Sequence, residues 1–172
     1  MIARLCAALL AGLAFTAPAA AATTLPGNAT SLTETHDDWT VRCAIDQAVV
    51  HCAAQQEQLS NQTKQRVLAI EILPGAADVL TGTLILPFGL DLAKGAVLKV
   101  DDKLTSPPLT FQTCLPAGCL VPLSIGKDWE TAMRVGTALT VNAQAVNAQP
   151  ANFSISLKGL GGALDRIAEL TR

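Results

Sequence analysis

The sequence predicts a mainly β fold, an antiparallel sandwich or barrel carrying one short helix and one C-terminal helix. Three observations carry that expectation. Short stretches alternate apolar and polar residues with period two, and glycine and proline separate them at regular spacing. No succession of strand and long helix occurs, which argues against a parallel sheet. Four cysteines fall in two close pairs, Cys43 with Cys52 and Cys114 with Cys119, as in a small domain clamped by disulfides.

The N-terminus reads as an export signal over residues 1–22. Arg4 precedes an apolar run from Leu5 to Phe15 that is too short to span a bilayer. Pro18 ends the run, and Ala20-Ala21-Ala22 offers small residues for cleavage, so the mature chain is expected to begin near Thr23. Cys6 lies inside the signal and leaves the cysteine count. About 150 residues then remain, enough for one domain with its own core. Residues 23–37 are polar and rich in threonine, glycine, asparagine and proline, and read as a flexible leader. Residues 38–172 form the domain.

Trp39-Thr40-Val41-Arg42-Cys43 alternates like a half-buried strand, and residues 49–53 form a second, so Cys43 and Cys52 face each other across a hairpin. Residues 55–64 are polar without an apolar period and read as a loop. Residues 67–73 alternate until Pro74-Gly75. Residues 81–86 end at Pro87-Phe88-Gly89, and 96–100 end in the polar turn Asp101-Asp102-Lys103. Residues 109–114 and 119–125 are strands joined by Leu115-Pro116-Ala117-Gly118. A last pair spans 139–146 and 153–157.

Two segments carry helical spacing. Residues 127–135 place Trp129 and Met133 on one face, after Gly126. Residues 160–170 carry Leu160, Leu164, Ile167 and Leu170 three and four apart, with Asp165 preceding Arg166 and Arg172.

Composition excludes several function classes. Twelve basic and fourteen acidic residues leave a weakly acidic chain, more so once Arg4 is removed, with no overall attraction for nucleic acid or anionic lipid. The chain has no tyrosine and few other aromatics, so a broad base-stacking surface is not expected. After the signal no segment reaches membrane-spanning length, and no transmembrane segment is expected in the mature chain.

The cysteines are the first chemical candidates. Four permit three pairings, and short loops favour the two local ones, Cys43–Cys52 and Cys114–Cys119. Each such clamp contributes roughly 2–3 kcal/mol through the unfolded state. Zinc is disfavoured because zinc knuckles space their cysteines two residues apart. A redox pair would sit as Cys-x-x-Cys at a helix N-terminus, which neither pair does. His36 and His51 have no nucleophile motif beside them. Asp37-Asp38 and Asp101-Asp102 read as leader and turn, since adjacent strand residues point to opposite faces. Leu160-Gly161-Gly162 lacks a phosphate-loop pattern and reads as a helix entry. No catalytic residue, cofactor or metal site is expected.

Asp38-Trp39-Thr40-Val41-Arg42-Cys43 with Cys52, Leu86-Pro87-Phe88-Gly89-Leu90 with Gly95, and Phe111-Gln112-Thr113-Cys114-Leu115-Pro116-Ala117-Gly118-Cys119 resemble the invasion-associated locus B family. The closing Leu157-Lys158-Gly159-Leu160 is similar to that family's C-terminal segment, with Leu160 where phenylalanine is usual. The resemblance covers essentially the whole mature chain. It implies an exported bacterial β-sandwich of immunoglobulin-like architecture, periplasmic or else associated with the outer membrane or secreted. It also implies Cys43, Cys52, Cys114 and Cys119 as disulfide partners, Trp39 as a core anchor, and no catalytic residues. The expected function is a non-enzymatic envelope or surface interaction protein with a role in host-cell association or invasion, its partner a protein or another envelope component. The alternatives are a periplasmic chaperone-like maintenance factor and an unrecognised hydrolase or metal-binding enzyme.

Overall fold

The structure is a computed structural model and describes residues 24–77, 79–101 and 103–171. The expected signal with Arg4 and Cys6, its cleavage point at Thr23, Asp102 and Arg172 lie outside the described residues.

Two antiparallel sheets form the sandwich. The larger has seven strands: β1 (Ser31–His36), β2 (Trp39–Asp46), β3 (Val49–Leu59), β4 (Arg66–Pro74), β5 (Leu80–Leu86), then β9 (Gly118–Ile125) and β8 (Thr113–Leu115). The smaller runs β11 (Pro150–Ser156), β10 (Ala138–Gln144), β6 (Val97–Val100) and β7 (Leu104–Thr105). Helix α1 (Lys127–Val135) links β9 to β10, and α2 (Leu160–Leu170) ends the chain. Both helices have the expected bounds.

The inward residues of these strands make one core. Ile70, Ile72 and Leu84 of the large sheet join Val141 and Ile155 of the small one, with Met133 of α1 and Leu160, Leu164 and Ile167 of α2. Each such aliphatic side chain contributes about 1.5–3 kcal/mol on burial. Helix α2 packs on β1, β2 and β3 and so covers part of the large sheet. Its entry requires Gly159, whose φ is 90° and whose Cβ, if present, would lie 2.0 Å from the His36 carbonyl oxygen.

Four segments depart from the sequence expectation. The leader expected over 23–37 contains β1, and Leu25 within it is only 1% exposed, so described residues from Leu25 onward belong to the folded domain. Strand β1 has no fully buried position, hence no strong apolar signal; its ladder to β2 holds it. The loop expected over 55–64 is strand as far as Leu59, because Gln56 and Gln58 occupy inward positions through hydrogen bonds rather than apolar burial. The strand expected over 109–114 shrinks to β8, since the chain crosses there from one sheet to the other, leaving Leu109 a single bridge to Ala96. Strand β7 was not anticipated at all.

The β2–β3 hairpin turns on Gln47 and Ala48, both left-handed with φ of 47° and 63°. That turn favours asparagine and glycine, and each non-glycine residue there costs roughly 1 kcal/mol. The Cys43–Cys52 bridge joins facing residues of the same hairpin, with Cα atoms 4.1 Å apart, and offsets the poor turn chemistry.

Asp101 closes the other side of the molecule. Its carboxylate accepts from the backbone N–H of Thr137 at 3.0 Å and of Ala138 at 3.0 Å, tying the β6–β7 turn to the start of β10. Those two donors hold its carboxyl below the ordinary aspartate value. Glu34 is shifted the same way, chiefly by hydrogen bonds from Arg166. A depressed folded pKa means stability that is present above the unfolded value, near 4, and lost as pH falls through the folded value. Stability followed by thermal unfolding should therefore fall as the pH drops below about 4, and Asp101→Asn should lessen that fall while lowering stability at neutral pH.

Candidate functional site at the sheet edges

The residues that could carry chemistry are occupied structurally. The Cys114–Cys119 bridge, like Cys43–Cys52, joins facing strand residues, with Cα atoms 3.9 Å apart. All four thiols outside residue 6 are therefore consumed. His51 is exposed on β3, and His36 lies on β1 with its Nε2 3.7 Å from Glu34 Oε2. Neither histidine hydrogen-bonds a serine, threonine or cysteine among the described residues. Glu34 accepts two bonds from Arg166, at 2.8 and 2.9 Å, which raise the arginine pKa and lock α2 to β1. A second ion group, the buried Glu130 with the half-buried Arg134 at 2.8 Å and Arg134 with the exposed Asp165 at 2.9 Å, ties α1 to α2. Among the described residues no three His, Cys, Asp or Glu side chains converge as a metal site would require.

What distinguishes the molecule is how its four sheet edges are treated. Strand β11 is closed at its Ser154–Ser156 end by side chains of the opposite sheet. Gln56 donates through Nε2 to the Ser156 carbonyl at 3.0 Å and accepts from the Ser156 N–H at 3.2 Å, so its amide imitates a neighbouring strand residue. Gln58 Nε2 donates to the Ser154 carbonyl at 2.6 Å, and Trp39 Nε1 adds a 2.9 Å bond to Ser156. Trp39 itself is 0% exposed. Strand β7 offers two residues and β8 three, the latter stapled by its disulfide.

Strand β1 is different. It has six residues, and the bond from Ile45 N–H to the Thr30 carbonyl sets the alternation of its ladder. Leu32, Glu34 and His36 therefore bond to β2, while the backbone groups of Ser31, Thr33 and Thr35 point outward. None of those outward groups has a partner among the described residues. An unpaired edge of this length is a template for another strand.

Sequence reasoning found the two disulfides and the position of Trp39, and missed the glutamines. Their signal is present: Cys52, Ala54, Gln56 and Gln58 lie two apart on one face, the period-two pattern continuing past the apolar residues.

The comparisons agree with this architecture. The model of the Invasion associated locus B (IalB) protein family matches residues 39–168. A Brucella abortus (strain 2308) protein named Invasion protein B homolog is 50% identical over 167 residues, covering 94% of this chain and 96% of its own. Invasion protein B of Bartonella bacilliformis is 32% identical over 152 residues, covering 87% and 81%. The crystal structure of invasion associated protein b from Bartonella henselae superposes with a TM-score of 0.76 at 31% identity, covering 81% of this chain and 97% of that one.

Proposed function

This chain belongs to the invasion-associated locus B family, and we propose that it is an exported, non-enzymatic interaction protein of the bacterial envelope or surface. Its role is in host-cell association or invasion, and it recognises a protein partner by edge pairing. The observation that carries this reading is the free outer edge of β1, beside three other edges that are covered by side chains over part of their length, short or stapled. A partner strand laid along Ser31, Thr33 and Thr35 would gain backbone hydrogen bonds without any rearrangement of the sandwich. The relatives' names, as invasion proteins, support the same class of function.

The test is a proline on that edge. Thr33 is exposed and its N–H points outward, so Thr33→Pro removes a donor that the fold does not use. In a deletion strain complemented with each form, Thr33→Pro should keep the wild-type melting temperature within about 2 °C and lose about tenfold in host-cell association. Equal complementation by both forms would overturn the edge-pairing reading.

A further inference from the structure

Strand β8 pairs with β9 only from Gly118 to Leu120, and β9 runs on to Ile125 with β5 alone beside it. The Leu120 carbonyl accepts from Gln112 N–H at 2.8 Å and so faces the β8 side. By the alternation of a ladder, the backbone groups of Pro122 and Ser124 face that side too. Pro122 has no N–H to offer, and a proline within a strand is tolerated at just such an edge. Ser124 is left as the one N–H donor of the stretch, and its outward groups bond to no described residue. A single donor cannot hold a partner strand along its length, which sets this edge apart from β1.

Behind this edge the two sheets enclose a cavity of about 300 Å³. Leu123 of β9 faces it from the large sheet, Leu98 of β6 and Leu139 of β10 from the small one, and α1 adds Trp129 and Met133. None of the described residues lining it is charged. Ser106 at its rim is already engaged, its Oγ accepting from Leu98 N–H and donating to the Pro107 carbonyl. Pro122 and Ser124 turn their side chains to the exposed outer face, so β9 meets the cavity along its backbone edge. Leu98, Leu123, Met133 and Leu139 are buried, while Trp129 and Leu109 are half-buried where the cavity opens. Protein interiors seldom leave such a volume unfilled. An apolar cavity of roughly 150 Å³ already takes up benzene.

We propose that this slit binds an acyl chain, its hydrocarbon lying among Leu98, Leu123, Met133 and Leu139 and its carbonyl oxygen accepting from Ser124 N–H. Three features select that ligand. The lining gives hydrocarbon a dry surround and gives a charged or sugar-like group no partner. The single free donor at the mouth matches a single carbonyl oxygen. The entrance runs between two sheet layers, about 10 Å apart in a sandwich, and admits a linear chain end-on. A free fatty acid and an acyl ester share this chemistry. Strand β1 stands at the opposite edge of the large sheet, so chain binding and edge pairing fail independently.

Bromodecanoic acid and its glycerol monoester test it below their micellar concentrations, since bromine quenches an indole that it touches. Saturable quenching by the acid, the ester or both is expected, and the compound that binds identifies the source of the chain. Unbrominated decanoyl compounds should raise the melting temperature, as any ligand of the folded state does. Trp129→Phe should abolish the quenching and keep that rise, because Trp39, the other indole of the chain, is fully buried elsewhere in the core. Leu109→Asp, a carboxylate at the mouth, should weaken binding about tenfold. Ser124→Pro removes a donor that the fold does not use and should weaken it about fivefold. Melting temperatures without ligand show that each variant folds. Absence of saturable quenching in the folded wild type would overturn the proposal. So would quenching that survives Trp129→Phe, wild-type binding by both mouth variants, or tighter binding of an acetylated Leu-Val-Leu amide, which would make the slit a peptide site.

Discussion

Trp39→Ala is expected to lower stability by about 3–5 kcal/mol, the usual cost of deleting a buried aromatic side chain. The indole is fully buried in the core that both sheets share, and its Nε1–H donates to the Ser156 carbonyl 117 residues away. Alanine leaves a cavity and removes one of the two donors to that carbonyl, the other being Gln56. In a domain of this size the melting temperature should fall by on the order of 10 °C, measured with both disulfides intact. Trp39→Phe separates the causes: it keeps most of the packing and should cost only about 1–2 kcal/mol. A loss below about 1 kcal/mol for alanine would mean the indole is not the group the sheets close on.

The second large effect belongs to Gln56. Gln56→Leu keeps nearly the same volume, but strips the Ser156 N–H of its acceptor at an 8% exposed position. An unmade buried bond costs about 1–3 kcal/mol, so a loss near 2 kcal/mol is expected. The edge of β11 is then open, and the variant should also self-associate at concentrations where wild type stays dispersed. Hydrogen exchange at the Ser156 amide is the direct readout, and its protection should fall. Unchanged protection would show that the glutamine is a passive neighbour of that edge. Because Trp39 and Gln56 share the Ser156 carbonyl, the double variant with Trp39→Phe should lose a different amount from the sum of the single losses.

Much of the fold was legible because its signals are local. The apolar spacing in 160–170 and the face of Trp129 and Met133 in 127–135 place both helices to the residue. Alternation located β2, β4, β5, β9, β10 and β11 within a few residues. The misses are equally physical. Strand β1 lacked apolar alternation because an edge strand needs only a ladder. Residues Gln55–Leu59 looked like loop because glutamines were doing, by hydrogen bonding, what apolar side chains usually do by burial. Buried Glu130 gave no sequence signal, since its cost is met by Arg134 one turn later and through it by Asp165 on α2.

Spacings of a few residues are enough for the sandwich class, the two staples at Cys43–Cys52 and Cys114–Cys119, and the family. Tertiary structure alone decided which sheet edge stays open and which end gathers Phe88 and Val146. Closure at the end of β11 depends on Gln56 meeting Ser156, 100 positions away, and the place of Val146 on its bond to Gly89, more than fifty positions away. No local period encodes such pairs; they exist only when the second sheet closes over the first.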